Sequence, residues 1–155
     1  MAKSPPPGTS SWLPHLAADA SAEQLLRSVL QSDPLTILLQ ALEPHSKLHL
    51  VGGTVRDCFS QVAPSDLDVA SVLRPNEVHA RLAAKGIRVI DTGIAHGTVL
   101  ALVGDVSIEI TTFRLPGSRA ASAYSDTIEI DCSGRDFTIN AIAVECSSGQ
   151  VIDPF

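Results

Sequence analysis

The stretch "LVGGTVRDCFSQVAPSDLDVAS", residues 50–71, decides the fold of this chain. An apolar run ends at a pair of glycines, a segment with the pattern of a short helix follows, and a second apolar run then surrounds two aspartates. This order predicts a strand that ends at Gly52 and Gly53, a helix, and a second strand that carries Asp66 and Asp68. The glycine pair and the acidic pair each have an ordinary structural explanation as well as a functional one.

The spacing of the two aspartates would let both carboxylates bind the same ligand. On a strand, residues two apart point to the same side, so Asp66 and Asp68 present both carboxylates on one face while Leu67 and Val69 turn into the core. Two like charges that lie close together repel unless a cation or a proton sits between them. The cation expected to bind here is Mg²⁺, which combines one or two carboxylates with substrate phosphates. The alternative is a pair of solvated acids at the start of an exposed strand.

A third carboxylate lies in the predicted strand "VSIEITTF", residues 106–113. Apolar residues alternate there with polar ones, which places Glu109 on a polar face. If this strand neighbours the strand of Asp66 and Asp68, the three acids suit a two-metal centre, with ions about 3.5–4 Å apart. The alternative is that Glu109 is an ordinary outward-facing strand residue.

Phosphate-binding groups are predicted in two places. Gly52 and Gly53 let the backbone approach a ligand closely, the helix N-terminus behind them favours phosphate oxygens, and Arg56 adds a clamp one turn further on. The alternative is a tight strand-to-helix turn, with Arg56 and Asp57 as a surface pair.

The second place is "GRDFTINAIAV", residues 134–144. In the functional interpretation Arg135 and Asp136 lie at the mouth of a nucleotide pocket, with Asn140 one helical turn further along. In the structural one Asp136 caps a helix and Arg135 is solvated. The apolar residues of this segment are expected in the core: Phe137, Ile139, Ile142 and Val144.

The remainder of the chain predicts a mixed domain. Residues 21–31 and 33–43 carry apolar side chains at helical spacing, with Ser21 starting the first helix and Asp33 capping the second, ahead of Pro34. Further predicted elements are a helix over 74–86, a strand over 87–91, a hairpin over 96–113, and a short helix with a terminal hairpin within 135–155. We therefore expect an α+β domain over residues 21–155, preceded by a loose arm over 1–20.

Composition excludes several classes of protein. The formal net charge of −6 over 155 residues argues against gripping nucleic acid by bulk electrostatics, since phosphate neutralisation needs clustered Lys and Arg. The three cysteines form no CxxC pair, which favours reduced thiols and a cytoplasmic protein. We find neither a secretory signal nor a membrane-spanning run in the sequence.

One further expectation concerns a histidine. We expect His49 to lie at the surface.

Taken in order, five motifs followed by "VIDPF" resemble one family. "LVGGTVRD", "SDLDVAS", "GIAHGTV", "SIEITTFR" and "RDFTINAIA" are similar to the head domain of class II tRNA nucleotidyltransferases, the CCA-adding enzymes, and of bacterial poly(A) polymerases. The resemblance runs from about Leu48 to Phe155. It implies the polymerase β-like nucleotidyltransferase fold, a small mixed sheet flanked by helices. It also implies transfer of CMP or AMP from CTP or ATP to an RNA 3′-hydroxyl, tRNA above all, with release of pyrophosphate.

The resemblance also implies roles for individual residues. Asp66 and Asp68 would bind the Mg²⁺ ions, and Glu109 would be the third catalytic acid. The remaining predicted site residues would bind the nucleotide: Gly52, Gly53 and Arg56 at the triphosphate, Arg135 and Asp136 at phosphate and ribose, and Asn140 beside them.

Two features depart from the family pattern. The family usually reads Arg-Arg-Asp-Phe-Thr-Ile-Asn, and here Gly134 replaces the first Arg, so one cationic contact is lost. The family continues past "VIDPF" into helical neck, body and tail domains, and no Glu-Asp-x-x-Arg motif occurs in these residues. We therefore expect a head domain alone, with most of the RNA grip supplied by absent domains.

The sequence leaves three candidate functions open for this chain. The first is an RNA nucleotidyltransferase head, which the complete set of three carboxylates favours. The second is a catalytically impaired head that binds a nucleotide or acts as an interaction module. The third is a nucleotidyltransferase that modifies a small molecule or a protein.

Overall fold

The computed structural model describes residues 12–13, 19–118, 123–136 and 138–155. Phe137 and most of the predicted arm over residues 1–20 lie outside this range. The helices are α1 (Ala22–Leu30), α2 (Asp33–Leu42), α3 (Gly52–Phe59), α4 (Pro75–Ala84) and α5 (Ile128–Ser133), with short 3₁₀ helices at Asp91–His96 and Thr138–Ala141. The strands are β1 (His49–Leu50), β2 (Leu67–Ser71), β3 (Arg88–Ile90), β4 (Thr98–Val103), β5 (Val106–Thr112), β6 (Ala143–Glu145) and β7 (Val151–Ile152).

The strands form one mixed sheet in the order β3-β4-β5-β2-β1-β6-β7. The β2–β5 pair is parallel, and the other neighbouring pairs are antiparallel. A parallel pair cannot be joined by a tight turn, so the chain between β2 and β5 crosses through α4, β3 and β4. The predicted α+β architecture, a small mixed sheet flanked by helices, is confirmed.

Two apolar clusters cover the two faces of the sheet. Helices α1 to α4 pack with Leu67, Val69, Ile108 and Ile110 on one face. On β2, Ala70 belongs instead to the second cluster, which includes residues of α5. Because side chains alternate along a strand, Asp68 and Glu109 lie on the side of the sheet opposite Leu67 and Ile108. The larger core thus supports the strands from behind and leaves the acidic residues on the other face.

The first two helices begin as their sequences require, with one correction. Ser21 caps α1 through a reciprocal capping box with Gln24. For α2 the prediction of Asp33 as the cap was wrong, because the capping position is Ser32 and Asp33 is the first helical residue. A carboxylate in the first turn still interacts favourably with the positive end of the helix dipole.

The prediction for His49 was also wrong. His49 is buried, because β1 lies between β2 and β6 in the sheet. Its Nδ1 lies 2.7 Å from the carbonyl of Lys47, and its ring packs edge-on against Phe113. Burial lowers the pKa of His49, outweighing that backbone contact. His49 is therefore a core residue that favours the neutral form.

The three cysteines are free and buried. Burial raises the pKa of Cys58 and of Cys146 to about 12, and that of Cys132 to about 11. They are packing residues with little thiolate character.

Among the residues described, no helix combines the length and the apolarity needed to cross a bilayer.

Thr54 ties the glycine turn to the sheet. Its buried hydroxyl donates to the carbonyl of Asp66 (3.1 Å) and accepts the backbone N–H of Asp68 (2.7 Å). The N–H of Val51 donates to the carbonyl of Asp68 at 3.1 Å. These bonds fix the start of α3 against the start of β2.

Replacing Thr54 by Val should therefore destabilise the fold. The change keeps the shape of the side chain but leaves the Asp68 N–H and the Asp66 carbonyl without their partner, which costs about 1–3 kcal/mol. The measurement is urea unfolding of wild type and variant, followed by circular dichroism. The control is Thr36→Val, because Thr36 is exposed and the Ser32 carbonyl that accepts its hydroxyl keeps a second donor, the Thr36 backbone N–H. Equal midpoints for Thr54→Val and wild type would contradict the assigned role of the hydroxyl.

Candidate active site

The centre of the site is a pair of carboxylates brought together by the parallel strands. Asp68 of β2 is in register with Glu109 of β5, so the two side chains leave the same face of the sheet on neighbouring strands. Burial is the largest cause of a raised pKa at Asp68, and the charge of Glu109 is the next. The adjacency of these strands, which the sequence left open, places the two acids side by side.

Backbone donors at Gly53 and Thr54 partly offset the burial and the repulsion that raise the pKa of Asp68. The N–H of Gly53 donates to Oδ2 of Asp68 at 3.1 Å, which lowers the pKa of Asp68 but does not cancel the rise. The helix that begins at Gly52 therefore directs the amide of its second residue at a carboxylate. A cation beside Asp68 would complete the neutralisation.

Asp66 lies differently from Asp68. It immediately precedes β2, is exposed, and its carboxylate accepts a hydrogen bond from the Ser65 hydroxyl at 3.1 Å. Its charge still contributes to the raised pKa of Asp68. Within the described part of the chain, no three His, Cys, Asp or Glu side chains are grouped closely enough to hold a metal ion. The place of Asp66 in a metal site thus stays a prediction.

A cavity of about 590 Å³ opens beside the carboxylate pair. This volume suits a small-molecule ligand. All the predicted site residues except Asp66 border it: Gly52, Gly53, Arg56, Asp68, Glu109, Arg135, Asp136 and Asn140.

The glycine turn needs both of its glycines. Gly52 has φ +56°, a backbone conformation that strains other residues. A Cβ on Gly53 would lie 3.1 Å from Oδ2 of Asp68 and 3.4 Å from Nη2 of Arg56. The bare backbone therefore lets Asp68 and a guanidinium approach the start of α3 together.

The two predicted arginines are held by different partners. Arg56 donates from Nε (3.0 Å) and Nη2 (2.9 Å) to Asp57, as the structural interpretation expected, and it also borders the cavity. Arg135 donates from Nε and Nη2 to Asp131, and its Nη1 lies 3.8 Å from where a Cβ of Gly52 would be. The turn thus has a guanidinium close by on each side.

Asp136 and Asn140 complete the rim of the cavity. Asp136 is exposed, and Asn140 lies in the 3₁₀ helix that follows. The Oδ1 atom of Asn140 is buried and accepts no hydrogen bond in the structure. A buried amide oxygen without a donor favours a ligand group or water that supplies one.

Gly134 allows a close contact where the family pattern has an arginine. A Cβ at this position would meet Cβ, Cα and Cγ of Pro116 at 3.1–3.2 Å. Pro116 also borders the cavity, together with its neighbours Leu115, Gly117 and Ser118. The segment after Arg114 therefore packs against the end of α5 in space that a side chain at 134 would need.

The donor set fits a hydrated Mg²⁺ ion shared with a phosphorylated ligand. Asp68 and Glu109 supply carboxylate oxygens, which are hard ligands, and Mg²⁺ usually keeps several waters and takes only one or two carboxylates alongside substrate phosphates. Burial and then the charge of Glu109 raise the pKa of Asp68, and a cation at this position would relieve both effects. The arrangement fits an ion completed by its ligand better than one held by the protein alone.

Comparison with known proteins identifies the family. The profile of the family described as "Poly A polymerase head domain" matches residues 48–155, more than half of the chain. The chain belongs to this family. The resemblance drawn from the five motifs is therefore confirmed.

Individual relatives of this head-domain family are CCA-adding enzymes. The chain is 39% identical over 127 residues to the CCA-adding enzyme of Streptococcus uberis, covering 78% of this chain and 30% of that protein. A solved structure of the Bacillus stearothermophilus CCA-adding enzyme in complex with CTP superposes with a TM-score of 0.68 at 32% identity, covering 84% of this chain and 30% of that one. A tRNA nucleotidyltransferase complexed with a primer tRNA and an incoming ATP analog gives a TM-score of 0.54 at 28% identity, over 68% and 30% of the two chains. The chain thus spans about 30% of the length of these relatives.

Two charged residues that border the cavity of the head-domain site were missed from sequence. Arg114 and Asp131 both border the cavity, and the backbone N–H of Arg114 donates to Oδ1 of Asp131 at 2.8 Å. The signal for Asp131 was its spacing: it lies four residues before Arg135, the separation of a helical ion pair. The sequence did not predict a helix over residues 128–133, a segment of only six residues, so this spacing did not indicate an ion pair.

Removing the charge of Asp68 should stabilise the protein when no divalent ion is present. Because its folded-state pKa is raised, protonated Asp68 favours folding, and this contribution is lost as the pH rises from the ordinary value of 3.8 through the folded-state pKa. Asp68→Asn should therefore raise the melting temperature at pH 7 in EDTA by a few degrees, on the order of the 2–4 °C that 1 kcal/mol produces. The gain should shrink as the pH falls toward 3.8.

Thermal unfolding by circular dichroism at both pH values is the measurement. The control is Asp105→Asn, which removes an exposed charge in the β4–β5 turn and should change the melting temperature little. A variant Asp68→Asn that melts below wild type at pH 7 would contradict the cost that burial and the Glu109 charge place on ionised Asp68.

Proposed function

We propose that this chain is the catalytic head of an RNA nucleotidyltransferase. It would transfer CMP or AMP from CTP or ATP to the 3′-hydroxyl of an RNA, with tRNA as the first candidate, and release pyrophosphate. The observation that carries the proposal is the register of Asp68 with Glu109, because it puts two carboxylates in one cavity with the glycine turn and Arg135.

The residues of the chain have separate tasks in this proposal. Asp68 and Glu109 hold Mg²⁺, and Asp66 adds its carboxylate from the start of β2. When bound, the ions lower the pKa of the attacking hydroxyl and neutralise charge on the phosphates. Gly52, Gly53 and the cationic groups beside them hold the triphosphate so that its α-phosphorus faces the RNA.

A second group of residues positions the nucleoside. Arg135 lies against the glycine turn and suits a phosphate, while Asp136 at the rim suits a ribose hydroxyl. Asn140 offers a buried amide oxygen that still lacks a donor. These contacts fix the reacting phosphate relative to Asp68 and Glu109, and positioning of this kind supplies much of the rate in phosphoryl transfer.

The substrates follow from the relatives and from the charge of the chain. Structures of relatives carry CTP in one case and a primer tRNA with an ATP analog in another. The net charge of −6 supports a head that binds nucleotide and metal while other domains grip the RNA. Reduced, buried cysteines favour a cytoplasmic protein.

One observation favours a second candidate, a head that binds nucleotide without transferring it. Gly134 stands where the family pattern has an arginine, and Pro116 fills the space beside it. A missing cation weakens the hold on the triphosphate. In this case the chain would keep Mg²⁺-dependent nucleotide binding and lose turnover.

Incorporation of labelled nucleotide decides between the two candidates. The chain is incubated with Mg²⁺, labelled CTP or ATP, and a large excess of tRNA lacking its terminal CCA, because a head without RNA-gripping domains binds the acceptor weakly. We expect incorporation by wild type and a loss of at least about 10²-fold in Asp68→Ala, because the main carboxylate at the metal position is gone. The matched control is Asp105→Ala, an exposed acid in the β4–β5 turn, which should retain wild-type activity.

The other outcomes have defined meanings. Nucleotide binding that needs Mg²⁺ and Asp68, without incorporation even at saturating tRNA, would support the second candidate and overturn the first. Incorporation that persists in Asp68→Ala would overturn the assigned centre. Neither binding nor incorporation by wild type would overturn both candidates.

A further inference from the structure

Asp131 is the most deeply buried acid at the cavity. Only 5% of the residue is exposed, although α5, which carries it, is short. Its carboxylate accepts three N–H groups: the backbone N–H of Arg114 on Oδ1 at 2.8 Å, and Nε and Nη2 of Arg135 on Oδ2 at 3.1 and 2.8 Å. Both oxygens are therefore engaged by donors, so this acid is not available as a metal ligand or a proton acceptor.

The bonds to Asp131 determine where Arg135 points. With Nε and Nη2 committed, the planar guanidinium has little freedom to rotate. Its Nη1 then lies next to the backbone of Gly52, 3.8 Å from the position of a Cβ there, and the same point is 3.6 Å from Oδ2 of Asp68. Nη1 is thus the part of the guanidinium directed at the glycine turn.

The negative charge of Asp131 balances the positive charge of Arg135 and keeps its side chain in one orientation. A bare guanidinium would attract Asp68 or swing into solvent, since the Arg135 side chain is 23% exposed. Paired with Asp131, it presents one N–H to the cavity in a fixed direction. The Arg135 side chain then loses its conformational entropy when the protein folds, so this loss does not weaken ligand binding.

Asp131 also fixes a second wall of the cavity. Its bond to the Arg114 N–H sets the path of the chain as it leaves β5, and the next four residues, 115–118, border the cavity. The Arg114 side chain donates in turn to the carbonyl of His96 (2.8 Å) and the hydroxyl of Thr98 (3.1 Å). One carboxylate therefore connects the phosphate side of the cavity with the segment opposite.

We propose that Asp131 is a positioning residue, which holds Arg135 with Nη1 directed at the triphosphate of the bound nucleotide. It acts through Arg135 and touches neither the nucleotide nor the metal. This inference rests on the proposed function for the identity of the ligand, but the orientation of Arg135 is a property of the protein alone. The two can therefore be tested separately.

The first test is nitrogen-detected NMR of the arginine side chains in the ligand-free chain. In wild type the Arg135 Nε–H should give a protected signal, assigned by its loss in Arg135→Lys. In Asp131→Asn that signal should exchange with water at least about 10-fold faster, because a charged acceptor is replaced by a neutral amide.

The matched control is Asp57→Asn. Asp57 makes the same two-nitrogen contact to Arg56 but is more exposed, so its loss should change the Arg56 signal and leave that of Arg135 unchanged. An Arg135 signal that is equally protected in Asp131→Asn and wild type would overturn the inference whether or not the chain binds nucleotide.

The second test is a double-mutant cycle on binding of Mg²⁺-tripolyphosphate, measured by calorimetry. Asp131→Asn should weaken binding about 10-fold to 10²-fold with Arg135 present and less than about 2-fold in Arg135→Gln, because its effect passes through the arginine. Equal losses in both backgrounds would show a merely structural role and overturn the inference. Arg135→Lys, which keeps Asp131 and the positive charge, should lose affinity as Arg135→Gln does; wild-type affinity there would also overturn it. A wild type that binds no tripolyphosphate counts against the proposed function, and the NMR signal then decides the inference.

Discussion

The parallel pairing of β2 with β5 is the constraint on which the site depends. It sets Asp68 beside Glu109 in register, on the face of the sheet away from the large helical core. Burial disfavours the charged form of Asp68 and the neighbouring Glu109 carboxylate repels it, so the pKa of Asp68 is raised. In the proposed function, a cation that arrives with a phosphorylated ligand would relieve this cost.

The surroundings of the pair are organised to hold it in place and to limit its cost. The Thr54 hydroxyl bridges the backbone on either side of Leu67, and the Gly53 amide donates to the Asp68 carboxylate. On the other side of the glycine turn Arg135 is held by Asp131. The Thr54 hydroxyl and the Asp131 carboxylate thus hold the start of β2 and the Arg135 guanidinium in place, which is how a site becomes ordered before its ligand arrives.

Much of this could be predicted from sequence, and the failures have physical causes. Strands and helices followed from the apolar periodicity, and the alternation around Glu109 gave its face correctly. Pairing between distant strands is not a local property, so adjacency of Asp68 and Glu109 could only be supposed. Helix α5 was missed because six residues carry little periodic signal, and with it the Asp131–Arg135 pair. His49 was misplaced because a two-residue strand does not reveal that it has neighbours on both sides.

The central claim is that Asp68, Glu109 and the glycine turn form one site for a metal–nucleotide complex. Paramagnetic line broadening by Mn²⁺ in the presence of CTP or ATP tests it most directly, by backbone amide NMR of the chain. We predict strong, nucleotide-dependent broadening that is greatest at Gly53, Asp68 and Glu109 and weaker at the β4–β5 turn around Asp105. Broadening centred elsewhere, or unchanged by the nucleotide, would contradict it.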